Sequence, residues 1–146
     1  MTTHTDERSI QQLINRFANC FDLKDWQRME TCLCESLHTD YSDLRGTPPE
    51  VISNQRFVEL RRAALGAMAT QHLMSNHDIE VEGDVANATV SCVIFRKNAA
   101  GERLNTHCLY FFRMEKDDST WKISAIRQKV LLSDGNTAIH AGIVQK

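Results

Sequence analysis

A carboxylate at the end of an apolar helix and a histidine in a strand are the residues of this sequence best suited to proton transfer. Asp22 follows directly on the apolar face of the first predicted helix, so it should lie near the core end of that helix. If His72 comes within hydrogen-bond reach, the carboxylate fixes the tautomer of the imidazole and stabilises the imidazolium, which leaves the other ring nitrogen to move a substrate proton. The alternative is that Asp22 caps the second helix and His72 is a satisfied strand histidine.

Further candidates surround this pair. Tyr41 is suited to donate a hydrogen bond to a carbonyl oxygen as negative charge develops there, and it is equally suited to the rim of a pocket. His107 lies in a strongly apolar strand and, depending on the face it takes, enters the pocket or lies at an oligomer interface. The other predicted substrate-binding residues are Phe21, Trp26, Met74, Cys108 and Tyr110. This lining favours a small apolar or aromatic ring compound with one or two oxygens over a highly charged metabolite.

Metal and cofactor sites are not predicted. His72 and His77 are five residues apart, so they face opposite sides of a strand unless a bulge intervenes. Cys32 and Cys34 do not have the spacing of a zinc or redox motif. The sequence contains no glycine-rich phosphate loop and no Gly-x-Ser-x-Gly elbow. We therefore expect neither a bound metal nor a nucleotide cofactor.

The composition of the 146-residue chain favours one globular domain without nucleic-acid or membrane partners. Its net charge is only -2, and the basic cluster of Arg56, Arg61 and Arg62 is interpreted as the solvated face of a helix. Residues 1–7 are polar, and no run approaches the roughly 20 apolar residues that span a bilayer. We expect a cytoplasmic protein whose five cysteines are reduced thiols.

The elements that must position these residues follow from the apolar spacing. Three helices are predicted from the stripes Ile10–Leu13–Ile14–Phe17–Phe21, Trp26–Met29–Leu33 and Phe57–Leu60–Ala64–Met68, the last capped by Ser53 or Asn54. A brief strand is expected over 37–41. The turn-rich stretch that follows contains Gly46, Pro48 and Pro49, which argue against a regular element there.

The second half of the chain is predicted to form a β-sheet. Runs rich in β-branched and aromatic residues predict four strands, at about 70–82, 85–97, 103–115 and 120–132, with connections short enough for an antiparallel meander. Two strands do not alternate cleanly, so both of their faces should be covered. Because three helices cover only one face, we expect the outer sheet face to form a homodimer. Residues 133–146 are expected to be a tail or a lid.

Several short motifs resemble the nuclear transport factor 2-like superfamily, which includes SnoaL-like proteins and scytalone dehydratase and is also described as cystatin-like. They are D-x-K-D-W at 22–26, D-Y at 40–41, T-Q-H at 70–72 and W-K-I at 121–123. The resemblance implies a cone-shaped, barrel-like α+β fold. Three N-terminal helices would pack on a curved four- to five-stranded antiparallel sheet and enclose a pocket. It also implies one SnoaL-like domain over 1–146, with its core at about 7–132.

The resemblance further implies a chemistry. In scytalone dehydratase, the matching aspartate and histidine remove water from a cyclic β-hydroxy ketone, and two tyrosines hold a water against the carbonyl. Tyr41 corresponds to one tyrosine, and Phe21 takes the place of the other. The leading hypothesis is therefore a cofactor-independent dehydratase or isomerase. The second is a non-catalytic ligand-binding or accessory protein of the same fold. The third is an epoxide hydrolase, a chemistry that needs paired carboxylates.

Overall fold

The computed structural model describes residues 4–140 as an α+β fold. The helices within this range are α1 (His4–Leu23), α2 (Trp26–Thr31), α3 (Ser42–Arg45) and α4 (Asn54–Leu65), and a 3₁₀ turn covers Thr137–Ile139. The strands are β1 (Leu33–Asp40), β2 (Glu50–Ser53), β3 (Ala69–Glu82), β4 (Val85–Lys97), β5 (Arg103–Asp117) and β6 (Thr120–Gly135). None of the described helices combines the length and the apolar character needed to cross a membrane.

The strands form one mixed sheet in the order β2-β1-β6-β5-β4-β3. Strands β3 to β6 make the predicted antiparallel meander. Strand β1, however, pairs parallel with β6, with Leu33 opposite Ile123 and Asp40 opposite Arg127. The expectation of a purely antiparallel sheet of four or five strands was therefore wrong. The chain reaches β6 only after the whole meander, so no local pattern reports this pairing.

The core lies between the helices and the inner face of the sheet. Helix α1 buries an apolar stripe that includes Ile10, Ile14 and Phe17, as its spacing predicted. The helix ends at Leu23, because the chain turns at Lys24 with a φ of 57°. This turn leaves the last residues of α1 directed toward β3, against which the helix packs.

Helix α4 covers the other part of the core. Of its two predicted caps, Ser53 is the N-cap, and its hydroxyl oxygen accepts a hydrogen bond of 3.0 Å from the backbone N–H of Arg56. Phe57, Arg61 and Leu65 follow at four-residue spacing and are buried, so an arginine stands on the apolar stripe of this helix.

Two short elements were missed in the turn-rich stretch. Helix α3 ends at Gly46, whose φ of 71° suits glycine, and β2 begins directly after Pro49. The glycine and prolines thus delimit the short elements α3 and β2, and the described residues hold four α-helices rather than three.

The predicted tail is partly structured. Strand β6 runs to Gly135, beyond the expected end of the core at 132, and the 3₁₀ turn leads to a buried His140. The remainder of the predicted tail or lid, residues 141–146, lies outside the described residues.

Candidate active site

Asp22 and His72 are in contact. The last turn of α1 presents Asp22 to the start of β3, where the carboxylate oxygen Oδ1 lies 2.8 Å from Nδ1 of His72. The other oxygen, Oδ2, accepts a 2.8 Å hydrogen bond from the backbone N–H of His72, and the hydroxyl of Thr70 donates to Oδ1 over 3.1 Å. Because an ionised carboxylate only accepts hydrogen bonds, Nδ1 of His72 carries the proton.

The imidazole is enclosed. The side chain of His72 is 2% exposed, and the ring of Phe21 stacks on it with a centroid distance of 4.5 Å and an interplanar angle of 25°. No described residue forms a hydrogen bond with Nε2 of His72. The lone pair of this nitrogen is therefore available to a molecule in the adjoining cavity.

The surroundings of His72 favour its neutral form. Burial lowers the pKa of His72, and the charges of Arg96 and Lys24 act in the same direction, whereas the hydrogen bond and the charge of Asp22 oppose them. At neutral pH the ring is thus uncharged, with Nδ1 as a donor and Nε2 as an acceptor. A neutral imidazole in this orientation is able to accept a proton.

Two tyrosines lie on the cavity wall beside the histidine. Tyr41, at the start of α3, and Tyr110, in β5, are both buried, and burial raises the pKa of each hydroxyl. The amide Nε2 of Gln128 donates to the Tyr110 hydroxyl over 3.2 Å. Both tyrosines are therefore neutral hydroxyl groups near neutral pH. Phe21 has no hydroxyl, so Tyr110 supplies the second one to this wall.

The cavity itself is small. Its volume is about 20 Å³, which is room for a single water molecule, so a ring-sized ligand has to displace side chains. The lining residues share an aromatic, aliphatic or basic character: Phe21, Tyr41, Leu44, Arg45, Arg61, Leu65, His72, Ile94, Arg96, Tyr110, Gln128 and His140.

The predicted binding residues divide into three groups. Phe21 and Tyr110 line the cavity. Three others pack in or against the core and do not line the cavity: Trp26, Met74 and Cys108. Of the two faces left open for His107, the structure has it on the outer sheet face rather than in the pocket, because it alternates with the inward-facing Cys108. There its Nε2 atom lies 3.5 Å from a carboxylate oxygen of Asp134.

The second strand histidine, His77, also faces the helices. A bulge between Ser75 and Asp78, with Asn76 at a φ of 52°, changes the alternation of β3. The Nε2 atom of His77 therefore lies 3.1 Å from the side-chain oxygen of Asn15 in α1. Across residues 4–140, no three His, Cys, Asp or Glu side chains converge in a way that could hold a metal ion.

Sequence reasoning missed three arginines on the cavity wall. Arg61 had been assigned to a solvated helix face, but only Arg56 and Arg62 of that cluster are exposed. Arg96 in β4 is buried as well, and Arg45 is half-buried at the end of α3. The available signal was an arginine at a position where the apolar stripe of α4, or the alternation of β4, calls for an apolar residue.

Comparison with known proteins finds both a similar curated sequence and similar solved structures. The scytalone dehydratase-like protein claB of Passalora fulva is 29% identical over 79 residues, which is 54% of this chain and 44% of that protein. The chain thus matches less than half the length of this curated relative.

Solved structures share the fold. The Kfla4162 protein from Kribbella flavida superposes with a TM-score of 0.88 at 21% identity, over 92% of this chain and 96% of the other. A putative scytalone dehydratase from Novosphingobium aromaticivorans gives 0.81 at 14% identity, over 97% and 95%.

The family assignment rests on most of the chain. Residues 2–127 match the SnoaL-like domain, a stretch that contains α1, the start of β3 and therefore both members of the Asp22–His72 pair. The resemblance drawn from the short motifs is confirmed, and the chain belongs to the SnoaL-like domain family.

Proposed function

We propose that this protein is a cofactor-independent lyase or isomerase that acts next to a carbonyl group on a small cyclic substrate. His72 is the general acid and base, Asp22 orients it, and Tyr41 polarises the carbonyl. The observation that carries this proposal is the 2.8 Å contact between a carboxylate and a buried imidazole whose Nε2 atom has no partner among the described residues.

The reaction follows from the protonation states. Nε2 of His72 removes a proton from the carbon next to the carbonyl, and the C–H electron pair moves into an enolate. The Tyr41 hydroxyl donates a hydrogen bond to the enolate oxygen, while Asp22 stabilises the imidazolium. In dehydration, the imidazolium returns its proton to the β-hydroxyl as the carbon–oxygen bond breaks and water leaves. In isomerisation, the proton returns to a different carbon.

The test compares the wild type with His72→Gln on a panel of cyclic β-hydroxy ketones, with the absorbance of the conjugated product as the readout. The variant should lose about 10²- to 10⁴-fold in kcat/KM, the range of a positioned acid or base. His77→Gln is the matched control, since this histidine contacts Asn15 and does not line the cavity. Equal turnover by the wild type and His72→Gln would refute the assignment.

A non-catalytic ligand-binding role is the alternative, favoured by the small volume of the cavity and by Phe21 in place of a tyrosine. A ligand recovered intact from the wild type in D₂O, with no deuterium at its α-carbon, would favour that role. Epoxide opening ranks lower, because the described cavity wall contains no Asp or Glu to act as a second carboxylate.

The homodimer remains a proposal that the outer sheet face supports. Leu73, Val93, His107 and Leu132 are opposite one another on four successive strands and form a row across this face. Leu73 and Leu132 are 48% and 54% exposed, so the row offers apolar surface to a second copy. A single-domain chain and a cytoplasmic location likewise stay predictions.

A further inference from the structure

Three arginines converge on the small cavity beside His72. Arg45 comes from the end of α3, Arg61 from the inner face of α4 and Arg96 from β4, so three separate elements each contribute one. Arg61 and Arg96 are only 6% and 3% exposed. The guanidinium carbon of Arg61 lies 4.6 Å from the ring centre of Tyr41 and 4.7 Å from that of Phe57.

Within the described part of the chain, these arginines have no anionic partner. Among residues 4–140, none of the three forms an ion pair with a carboxylate, and their Nε atoms are buried without a hydrogen-bond acceptor. Arg96 donates a 2.8 Å hydrogen bond from Nη1 to the hydroxyl of Thr106. Asp22, the acid beside His72, already accepts hydrogen bonds from the ring and the backbone N–H of His72 and from the Thr70 hydroxyl.

Such a cluster is energetically unfavourable on its own. Buried charges in proteins are normally paired, because an unpaired ion loses its hydration without compensation. The arginines also oppose one another: burial, together with the nearby charges of Arg61 and Arg96, lowers the pKa of Arg45 to about 10. An arrangement that destabilises the empty protein is expected where a ligand supplies the missing charge.

We propose that the substrate of this site carries a carboxylate group, which Arg61 and Arg96 bind at the buried end of the cavity while Arg45 closes over it. This inference rests on the proposed function, because it names the substrate class of the same site. It also modifies the expectation of a small apolar or aromatic ring compound with one or two oxygens: the ring lies against Phe21 and Ile94, and the acid group lies on the arginines.

A carboxylate fits better than a phosphate for two reasons. Its planar pair of oxygens matches the fork of a guanidinium group, whereas a phosphate needs donors for additional oxygens. The free volume of about 20 Å³ also favours the smaller group. Contact of the Arg61 guanidinium group with the rings of Tyr41 and Phe57 restricts this side chain in advance, which reduces the entropy lost when the anion binds.

Calorimetry separates binding from turnover if it uses His72→Gln, which keeps all three arginines. The probes are acetate and benzoate, each against its neutral amide, together with inorganic phosphate, in a buffer free of other carboxylates. At least one acid should bind tenfold or more tightly than its amide and more tightly than phosphate. In that background, Arg61→Gln and Arg96→Gln should each weaken binding of the acid at least tenfold and leave the amide unchanged.

Arg62→Gln is the matched control, because Arg62 is the exposed neighbour of Arg61 on the same helix and should leave every affinity unchanged. The inference is overturned if neither acid binds more tightly than its amide, if phosphate binds most tightly, or if neither arginine variant weakens the acid. Carboxylate binding without any turnover by the wild type would retain this inference and refute the proposed function. Turnover of neutral ketones without carboxylate binding would retain the proposed function and refute this inference.

Discussion

Asp22 receives three hydrogen bonds from β3, from the Thr70 hydroxyl and from the backbone and ring of His72. The Thr70 hydroxyl is in turn a 3.2 Å acceptor for the ammonium group of Lys24. This network ties the end of α1 to the strand. It fixes both the position and the tautomer of the imidazole, so the carboxylate acts through His72 rather than on the substrate.

Replacement of Asp22 tests that role. Asp22→Asn keeps the size of the side chain but removes the charge that stabilises the imidazolium, so kcat/KM should fall by about 10²- to 10⁴-fold with a smaller change in KM. Asp25→Asn is the control, because Asp25 caps α2 and asparagine caps equally well. An Asp22→Asn enzyme as active as the control would mean that the pair is only structural.

At the residue scale, the sequence predicted those site residues that belong to a short motif. Asp22, Tyr41 and His72 were singled out by short motifs and by their places at the ends of predicted elements. Arg61 and Arg96 belong to no motif. Whether their side chains are buried depends on which face of the helix or strand packs against the core. Burial of a charged residue is a tertiary property, so composition and local pattern predicted an apolar cavity.

At the element scale, the meander was predictable because the turns that separate its strands are marked by short local sequences. The four long strands match their predicted ranges to within three residues at each end, since tight turns separate them. The pairing of β1 with β6 joins distant segments, and the short strand β2 carries too few residues to show a period. These features were therefore out of reach of a sequence pattern.

The N-terminus of α4 offers a prediction at the same scale. Ser53→Ala removes the acceptor for the backbone N–H of Arg56 and should lower the free energy of unfolding by about 1 kcal/mol. Urea denaturation followed by circular dichroism measures the change. Ser53→Asp retains an oxygen at the same place and should remain near the wild type. Equal destabilisation by both variants would show that the cap is not the cause.

At the scale of the whole molecule, the sheet has one face under the helices and one face with an apolar row. Leu132→Glu places a charge in this row and should convert a dimer into a monomer in sedimentation velocity. Leu23→Glu is the control, because this leucine is highly exposed at the end of α1, on the helical side. A monomeric wild type at tens of micromolar, or a dimeric Leu132→Glu variant, would contradict the predicted interface.

The position of the helices over the inner face determines the state of His72. Because the folded protein holds this imidazole neutral, its pKa lies below the ordinary value of 6.5, and the unfolded chain binds the proton at higher pH. The contribution of His72 to stability is therefore present above pH 6.5 and is lost as the pH falls toward the folded pKa.

The most direct test of the account is the ¹⁵N spectrum of the His72 ring as a function of pH, assigned by comparison with His72→Gln. We predict a neutral ring at pH 7 with its proton on Nδ1, a free Nε2, and a midpoint below 6.5. A ring that is charged at pH 7, or one that carries its proton on Nε2, would contradict the proposed acid and base.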